Sequence, residues 1–504
     1  MIVDLKLCNR TVLGIDLGTS SLKGLLVSEI GDVIATSSSD YPLFSSRPGY
    51  SEQNPHDWIK AIENVINDLL SEFPEMKKEL KGISISGQMH SLVLLDKDNE
   101  IIRPAILWND VRTTKQCEDI MNCMGREVQE ITKNIALEGF TLPKILWVQE
   151  NEEKNWTKTR HIMLPKDYLV HWLTGCYSTD YSDAAGTLML DVKKRIWSKT
   201  ILDKFNIPKE YLPTLFESSA KVGNMRSSLI NKFGLETKVE IFAGGADNAC
   251  AAIGAGIVNS EVAMLSIGTS GVFLSMEDDA ENEYQDNLHL FNSALPNSYY
   301  SMGVTLAAGN SLKWFRDTFA KDAEFSDLLA NIDEVIVGSE GLIFTPYIRG
   351  ERTPYQDSQI RGSFIGIDSR HSLKHFTRSV IEGITFSLKE SKVIMEQRKN
   401  LKIKKIISVG GGTKNQQWLQ IQADIFGLPI TTLETEQGPS LGAAILAVIG
   451  CGMCANIDSC IKMFVKYKKV YQPIEKNVLL YNKFFQVYSK VYSTTKEICY
   501  QLQE

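Results

Sequence analysis

The pattern that most restricts this chain occurs twice. The runs Val12 to Leu17 and Leu22 to Val27 flank the turn Gly18-Thr19-Ser20-Ser21, and roughly half a chain later Val262 to Ile267 and Val272 to Leu274 flank Gly268-Thr269-Ser270-Gly271. Apolar runs on either side of Gly and Ser predict two strands joined by a tight turn. Gly31-Asp32 then turns the first copy into a third strand, Val33 to Ser37. A recurring strand, Gly-Thr-Ser turn and strand is the signature of a duplicated half-molecule. Such a tip offers backbone N–H groups and hydroxyls to a phosphate chain, and a carboxylate just ahead of it, Asp16, can hold Mg²⁺ through water. A plain polar hairpin would use the same turn residues. The second copy has Ser266 where the first has Asp16, so the first is expected to manage metal and terminal phosphates while the second clamps from the opposite side.

Near the midpoint lies Val239-Glu240-Ile241-Phe242-Ala243, followed by Gly244-Gly245-Ala246-Asp247-Asn248-Ala249-Cys250. A short strand, two glycines and a small-residue helix would deliver the carboxylate of Asp247 to a tight turn. Asp is also a favoured helix N-cap, so Asp247 could instead satisfy N–H groups at the helix start. The phosphate-type loops on either side favour a catalytic Asp247. A third glycine-rich element is the strand Lys405 to Val409, then Gly410-Gly411-Gly412-Thr413-Lys414-Asn415 and a helix with apolar Trp418, Leu419 and Ile421. Glycines there let the backbone approach a flat ring or a phosphate, and the helix N-terminus favours anions, although strand-to-helix turns use glycine freely in any case.

Several classes are set aside. A length of 504 residues calls for at least two large domains. A net charge of −7 gives no basic stripe for nucleic acid. Met1 to Arg10 has no long apolar core of a secretory signal, and Leu441 to Ala455 is too short and glycine-broken to span a membrane. A cytoplasmic protein is expected, with its nine cysteines as reduced thiols. Cys451 and Cys454 form a C-x-x-C without a second ligand pair and are expected at a helix end. His371 and His375 are expected as surface residues of a helix. No P-loop and no strand-G-x-G-x-x-G-helix unit occurs.

Other segments have the character of substrate walls. Ile83 to Asp96 reads as strand, polar break and strand, which places Gln88 and His90 at a strand end where neutral donors and acceptors can hold a polyol. A histidine there can equally be a structural hydrogen bonder. Ala105 to Leu107 leads into Trp108-Asn109-Asp110-Val111-Arg112, which could also cap a helix. Leu164 to Thr174 predicts an amphipathic helix stopped by Gly175, its aromatic and aliphatic residues in the core, and Ala307 to Phe315 places Gly309 before another helix. Arg349 to Pro354 is a charged loop without an assigned role, and the tail from Tyr467 is expected to be helical.

Five runs, GIDLGTSSLKG (Gly14 to Gly24), SGQMHSLVLLD (Ser86 to Asp96), RPAILWND (Arg103 to Asp110), GGADNACAAIG (Gly244 to Gly254) and VGGGTKNQQW (Val409 to Trp418), together resemble the FGGY carbohydrate kinases nearly end to end. The resemblance implies an α/β fold of two actin-like, ribonuclease-H-like domains with a central cleft. These would be residues 1–257, holding the sugar site, the first phosphate loop and the catalytic Asp, and residues 258–504, binding ATP. It implies Asp247 as catalytic base. Met89 and His90 are the implied sugar pair, with Asn248, Gln88 and Trp108 as further sugar contacts. Asp16 is implied as the Mg²⁺-associated acid, with Thr19, Ser20 and Lys23 lining its loop. Thr269, Gly309, Gly411, Gly412 and Asn415 are the implied nucleotide contacts. Ser91 and Ala246 stand where xylulose-directed members carry glycine, and a serine at the first position is similar to gluconate-type members.

The implied activity is ATP-dependent transfer of a phosphoryl group to a sugar hydroxyl, with D-xylulose at O5 first. Ribulose, another ketose, gluconate or a non-kinase actin-like ATPase are the alternatives. A sugar-binding regulator without turnover is disfavoured by the joint presence of Asp16 and Asp247. Such transfer needs alignment and charge neutralisation more than covalent help, so a carboxylate of ordinary pKa can serve as base. The implied partners are a small sugar and MgATP, and a homodimer is common in the family, although no segment is assignable to an interface.

Overall fold

The computed structural model describes residues 10–282, 284, 287–398 and 402–503. Most of the N-terminal run Met1 to Arg10 therefore lies outside the described residues. The duplicated sequence pattern becomes a duplicated sheet. In the first half the strands run Val33–Asp40, Ser21–Ser28, Thr11–Leu17, Leu80–Gly87, Glu240–Phe242 across the sheet. In the second they run Tyr299–Thr305, Gly271–Glu277, Val262–Ile267, Lys405–Gly410, Ile430–Leu433. Each set begins with two antiparallel pairings and ends with two parallel ones. This is the two-domain actin-like arrangement expected, with helices as the parallel crossovers.

Chain order explains the positions of the loops. In each half the hairpin tip and the ends of the parallel strands lie on the same side, because the first strand runs parallel to the fourth and its register ends at the turn. Leu17 faces Gly87, and Ile267 faces Gly410. The crevice beyond the carboxyl ends of such strands is where open α/β sheets bind ligands.

The helix Pro439–Gly450, from the second half, is buried along most of its length and lies on the sheet of the first. Its backbone comes so close to the first strand that a Cβ at Gly14 would stand 2.1 Å from Ser440 O. The first part of the apolar run, Leu441 to Val448, is thus core against the first sheet, and no described helix is long and apolar enough to cross a membrane.

Three expectations change in detail. The tail is not wholly helical: Tyr467–Tyr471 pairs antiparallel with Ile430–Leu433, and helices follow at Glu475–Tyr488 and Val491–Gln501. His371 precedes the helix Leu373–Arg398 rather than lying on it. His371 and His375 are partly buried, and their Nδ1 atoms accept the N–H groups of Asp368 (3.0 Å) and Ser372 (3.1 Å). Asp110 caps no helix; its carboxylate takes the N–H of Ser51 at 2.6 Å and pairs with Arg112. Cys451 and Cys454 lie at the end of the Pro439–Gly450 helix, and all eight described cysteines are free thiols.

Candidate active site

Asp247 is delivered as the sequence pattern demands. The strand Glu240–Phe242 ends in Gly244, whose φ of 76° and whose 1.9 Å approach of a notional Cβ to Ile85 O admit no side chain. Asp247 is then the first residue of the helix Asp247–Gly254, and the N-cap itself is Ala246. One carboxylate oxygen, Oδ1, accepts the backbone N–H of Asn248 (2.6 Å) and its side-chain amide (3.0 Å), so part of the carboxylate does serve the helix start. The other oxygen accepts no hydrogen bond from a described residue. Burial lifts this carboxyl to about 6, against which the two bonds from Asn248 work.

One cavity lies on the second half, and two others meet at Asp247. The first, about 570 Å³, is lined by Thr269, Gly309, Gly411, Gly412, Asn415 and Trp418, with Leu312 and Phe325 supplying apolar surface. The second, about 430 Å³, is a polar cleft between the halves holding Asp16, Lys23, Ser266 and Gly410. The third, about 240 Å³, is lined by Met89, His90, Trp108 and Phe140 from the first half and by His289, Phe291 and Arg352 from the second. Asp247 and Asn248 belong to both the second and the third.

In the cleft, Asp16 Oδ1 is buried without a hydrogen-bond partner. Its carboxyl is raised to about 7 by burial and then by the nearby Asp247, with Lys23 opposing. An unpartnered carboxylate oxygen beside a second carboxylate suits a hard divalent cation. With one such acid, most of the ligands would be water and phosphate oxygens, as Mg²⁺ prefers. Among the described residues no cluster of three or more His, Cys, Asp or Glu could enclose a metal. Lys23 reaches across the cleft to Gln437 Oε1 at 2.8 Å, tying the first hairpin to the loop before the Pro439–Gly450 helix. At the tip, Ser20 is exposed, and Thr19 Oγ1 accepts the indole N–H of Trp108 at 2.9 Å. A wall of the third cavity is thereby fastened to the first loop.

The second hairpin is braced differently. Thr269 O accepts the N–H groups of Ala308 and Asn310, both at 3.1 Å, and Gly268 O accepts that of Gly309 at 2.8 Å. Asn415 caps the helix Gln416–Phe426 by accepting Trp418 N–H at 2.8 Å, which leaves its amide N–H groups for a ligand.

In the third cavity His90 has a positive φ of 69°, and its Nδ1 lies 2.6 Å from Gly186 O. Burial holds its imidazole well below the usual range, at about 3, so the ring is neutral. Met89 Sδ contacts Asn248 Nδ2 at 3.7 Å, linking the Met89–His90 segment to the residue beside Asp247. Gln88 is not brought to this cavity. Its amide donates to Gly18 O (3.3 Å) and Gln53 Oε1 (3.2 Å) and supports the first loop from beneath. Ser91 is also turned away: its hydroxyl accepts Trp108 N–H at 3.0 Å and donates toward Gln88 at 3.3 Å.

Two groups escaped the sequence reading. Arg352 comes from the charged loop that had no role, and His289 from a strand with no motif. The second group lies behind Asp247. In the helix Pro165–Thr174, expected to be amphipathic, Lys166 is wholly buried, 2.7 Å from Asp167 and 3.0 Å from Asp180. Asp180 accepts Ser182 Oγ–H, and Ser182 Oγ accepts the N–H of Ala246 at 3.0 Å, so this cluster braces the turn carrying Asp247. Only spatial proximity shows it, because Lys166, Asp180, Ser182 and Ala246 lie on separate elements.

A cleft in which Asp16 and Asp247 each keep a carboxylate oxygen unpaired, set between a pair of Gly-Thr-Ser hairpins and beside a small cavity, fits a phosphotransferase of the duplicated actin-like class. The chain belongs to the FGGY family of carbohydrate kinases: the family's N-terminal domain matches residues 11–254 and its C-terminal domain residues 263–451. It is 53% identical to a xylulose kinase of Lactococcus lactis over 98% of this chain and 98% of that one. Among solved structures, a ligand-bound xylulose kinase from Lactobacillus acidophilus superposes with a TM-score of 0.92 at 29% identity, covering 97% of this chain and 98% of that one. A gluconate kinase from the same species also reaches 0.92 at 29%, covering 96% and 98%.

Proposed function

We propose that the protein transfers the γ-phosphoryl group of MgATP to the O5 hydroxyl of D-xylulose, giving D-xylulose 5-phosphate and ADP. The observation that carries this reading is the position of Asp247, the one acid that borders both the 240 Å³ cavity and the cleft containing Asp16. The sugar follows from similarity to proteins that are themselves xylulose kinases. The eight free thiols accord with a reducing, cytoplasmic setting. In this division of labour, residues 1–257 supply Asp16, Asp247 and the Met89–His90 pair, while residues 258–504 supply the adenosine cavity.

The acceptor sits in the cavity of Met89, His90 and Trp108, with its terminal hydroxyl donating to the free oxygen of Asp247. As the bond to phosphorus forms, that oxygen takes the proton. A carboxylate poised near 6 is a better match to neutral pH than one of ordinary pKa, and this is the one respect in which the structure revises the expected base. Mg²⁺ held at Asp16 would neutralise charge on the phosphates and help align them. Thr19, Ser20, Lys23 and Thr269 present hydroxyls, backbone N–H groups and a cation from opposite sides of the cleft. Gly309, Gly411, Gly412 and Asn415 border the cavity for the nucleoside. Approach of the halves excludes water, which would otherwise compete as acceptor.

Asp247→Ala is expected to lower turnover about 10²- to 10⁴-fold, the usual worth of a general base, while leaving nucleotide binding intact; turnover within tenfold of the parent removes Asp247 from the role. Substrate choice is read from ADP release with xylulose, ribulose, other ketoses, gluconate and glycerol beside a sugar-free control. Sugar-independent release would favour an actin-like ATPase instead. The gluconate alternative loses its sequence argument, because the Ser91 hydroxyl is spent on Trp108 and Gln88.

A further inference from the structure

The wall that the second half gives to the acceptor cavity carries polar groups with no part in the mechanism above. Arg352 is framed on both sides. Glu351 accepts the N–H groups of Leu306 (3.0 Å) and Arg352 (2.8 Å), and Thr353 exchanges two hydrogen bonds with Val304, at 3.0 and 2.9 Å. With its neighbours fixed, the Arg352 guanidinium lines the cavity and donates no hydrogen bond to a described residue. The carboxylates that favour its charge are Glu138 and then Glu351, and neither forms an ion pair with it.

The two histidines facing this cation have assignable tautomers. Gly186 O can only accept, so His90 carries its hydrogen on Nδ1. His289 Nδ1 lies 2.8 Å from Asn134 Oδ1, and the Asn134 amide nitrogen donates to Thr132 O and Leu290 O, which fixes Oδ1 as the acceptor. Both rings therefore keep an unprotonated Nε2. Burial, with the charge of Arg352 adding to it, holds both at about 3. The cavity then offers the acceptors Asp247, His90 Nε2 and His289 Nε2, the side chains of Asn248 and Ser270, and one cationic donor, Arg352.

That inventory is complementary to a ketose. Its hydroxyls can donate to the acceptors, and its carbonyl oxygen, which only accepts, suits a guanidinium. The polyol made by reducing that carbonyl can accept from the guanidinium only with its hydroxyl hydrogen turned to another acceptor and its oxygen moved out of the carbonyl plane, so it fits this donor less well. We propose that Arg352 binds the carbonyl oxygen of the acceptor while His289 Nε2 accepts from a hydroxyl, and that Arg352 thereby sets a preference for ketose over polyol. The proposal rests on the reading of the protein as a ketose kinase.

The test compares kcat/KM for D-xylulose and for D-arabinitol, which differ only at C2, in the full-length protein and in Arg352→Met. The ratio of the two is expected to fall at least tenfold in the variant, mainly through a higher KM for the ketose. Arg352→Gln, which keeps an amide donor without the charge, is expected to retain part of the ratio and guards against a folding failure of the first variant. Equal losses toward both acceptors in either variant would make Arg352 a charge partner of Glu138 and overturn the proposal. A parent protein that releases ADP with neither acceptor fails at the underlying reading, and is thereby distinguished from a failure of Arg352 alone.

Discussion

The two Gly-Thr-Ser hairpins have the same topology and different chemistry. In the first, Asp16 pairs across the hairpin with Lys23; in the second, Ser266 pairs with Val272. The first therefore puts an acid and a cation into the cleft, one with an unpartnered oxygen and the other reaching Gln437 of the opposite half. The second puts only a hydroxyl there, and its backbone carbonyls are engaged by Ala308, Gly309 and Asn310. Duplication supplied a symmetric clamp. In the mechanism proposed above, the metal and acid–base chemistry falls on one side of it, the side that carries Asp247.

The largest test of that asymmetry is Asp16→Asn, expected to reduce turnover at least about a hundredfold, the scale seen when one electrostatic contact to developing charge is removed. Nucleotide affinity in the variant should lose most of its Mg²⁺ dependence, as titration calorimetry with and without Mg²⁺ would reveal. An unchanged Mg²⁺ dependence would place the ion elsewhere. Next in size are the two threonines. Each hydroxyl lost should cost about tenfold in KM for ATP, close to the worth of one hydrogen bond. Thr19→Val should also raise KM for the sugar, because Trp108 is fastened to that hydroxyl, whereas Thr269→Val should leave the sugar KM alone. Equal effects on the sugar would erase the distinction between the loops.

Smaller effects arise from the buried acids. Asp16 at about 7 and Asp247 at about 6 both lie above the carboxylate value of 3.8, so the folded protein holds protons that the unfolded chain has released. Their contribution to stability is present at pH 4 and is lost as pH rises toward 7. Ligand-free Asp16→Asn and Asp247→Asn should therefore melt a few degrees above the parent at pH 8 and near it at pH 4. A rise of the same size at both pH values would sever the link to ionisation. The same groups predict an acid limb in kcat/KM near pH 6 to 7, read as a property of the coupled pair. His90 and His289, neutral above about 3, cannot supply it. Ser266→Ala is the mildest change, expected to stay within about twofold of the parent, since a cleft hydroxyl with no partner among the described residues contributes little.

Local chemistry was readable along the chain wherever a residue's role depends on its neighbours in sequence. The hairpins show in their apolar alternation, and Gly244 and Gly410 mark turns that need positive φ. Asp247 stands where a strand must end and a helix begin. Met89, His90 and Trp108 fall in one cavity, and Gly309, Gly411, Gly412 and Asn415 in another, as their motifs suggest. Gln88 was indistinguishable from its neighbours in a polar strand end, because one residue's step along an irregular segment decides whether an amide faces a cavity or the underside of a loop.

By itself the sequence determined the duplication, the two Gly-Thr-Ser hairpins, the strand-to-helix turn that carries the proposed base Asp247, and the family. Each of these is written in spacing over a few residues. Only the tertiary structure decided that Asp247 borders two cavities and that the helix Pro439–Gly450 closes against the opposite sheet. It alone brought Lys166, Asp180 and Ser182 behind the catalytic turn and turned Arg352 and His289 toward the acceptor. Those relations join residues tens to hundreds of positions apart. They are fixed by which apolar faces pack together and which buried polar groups find partners, a balance that no local pattern records.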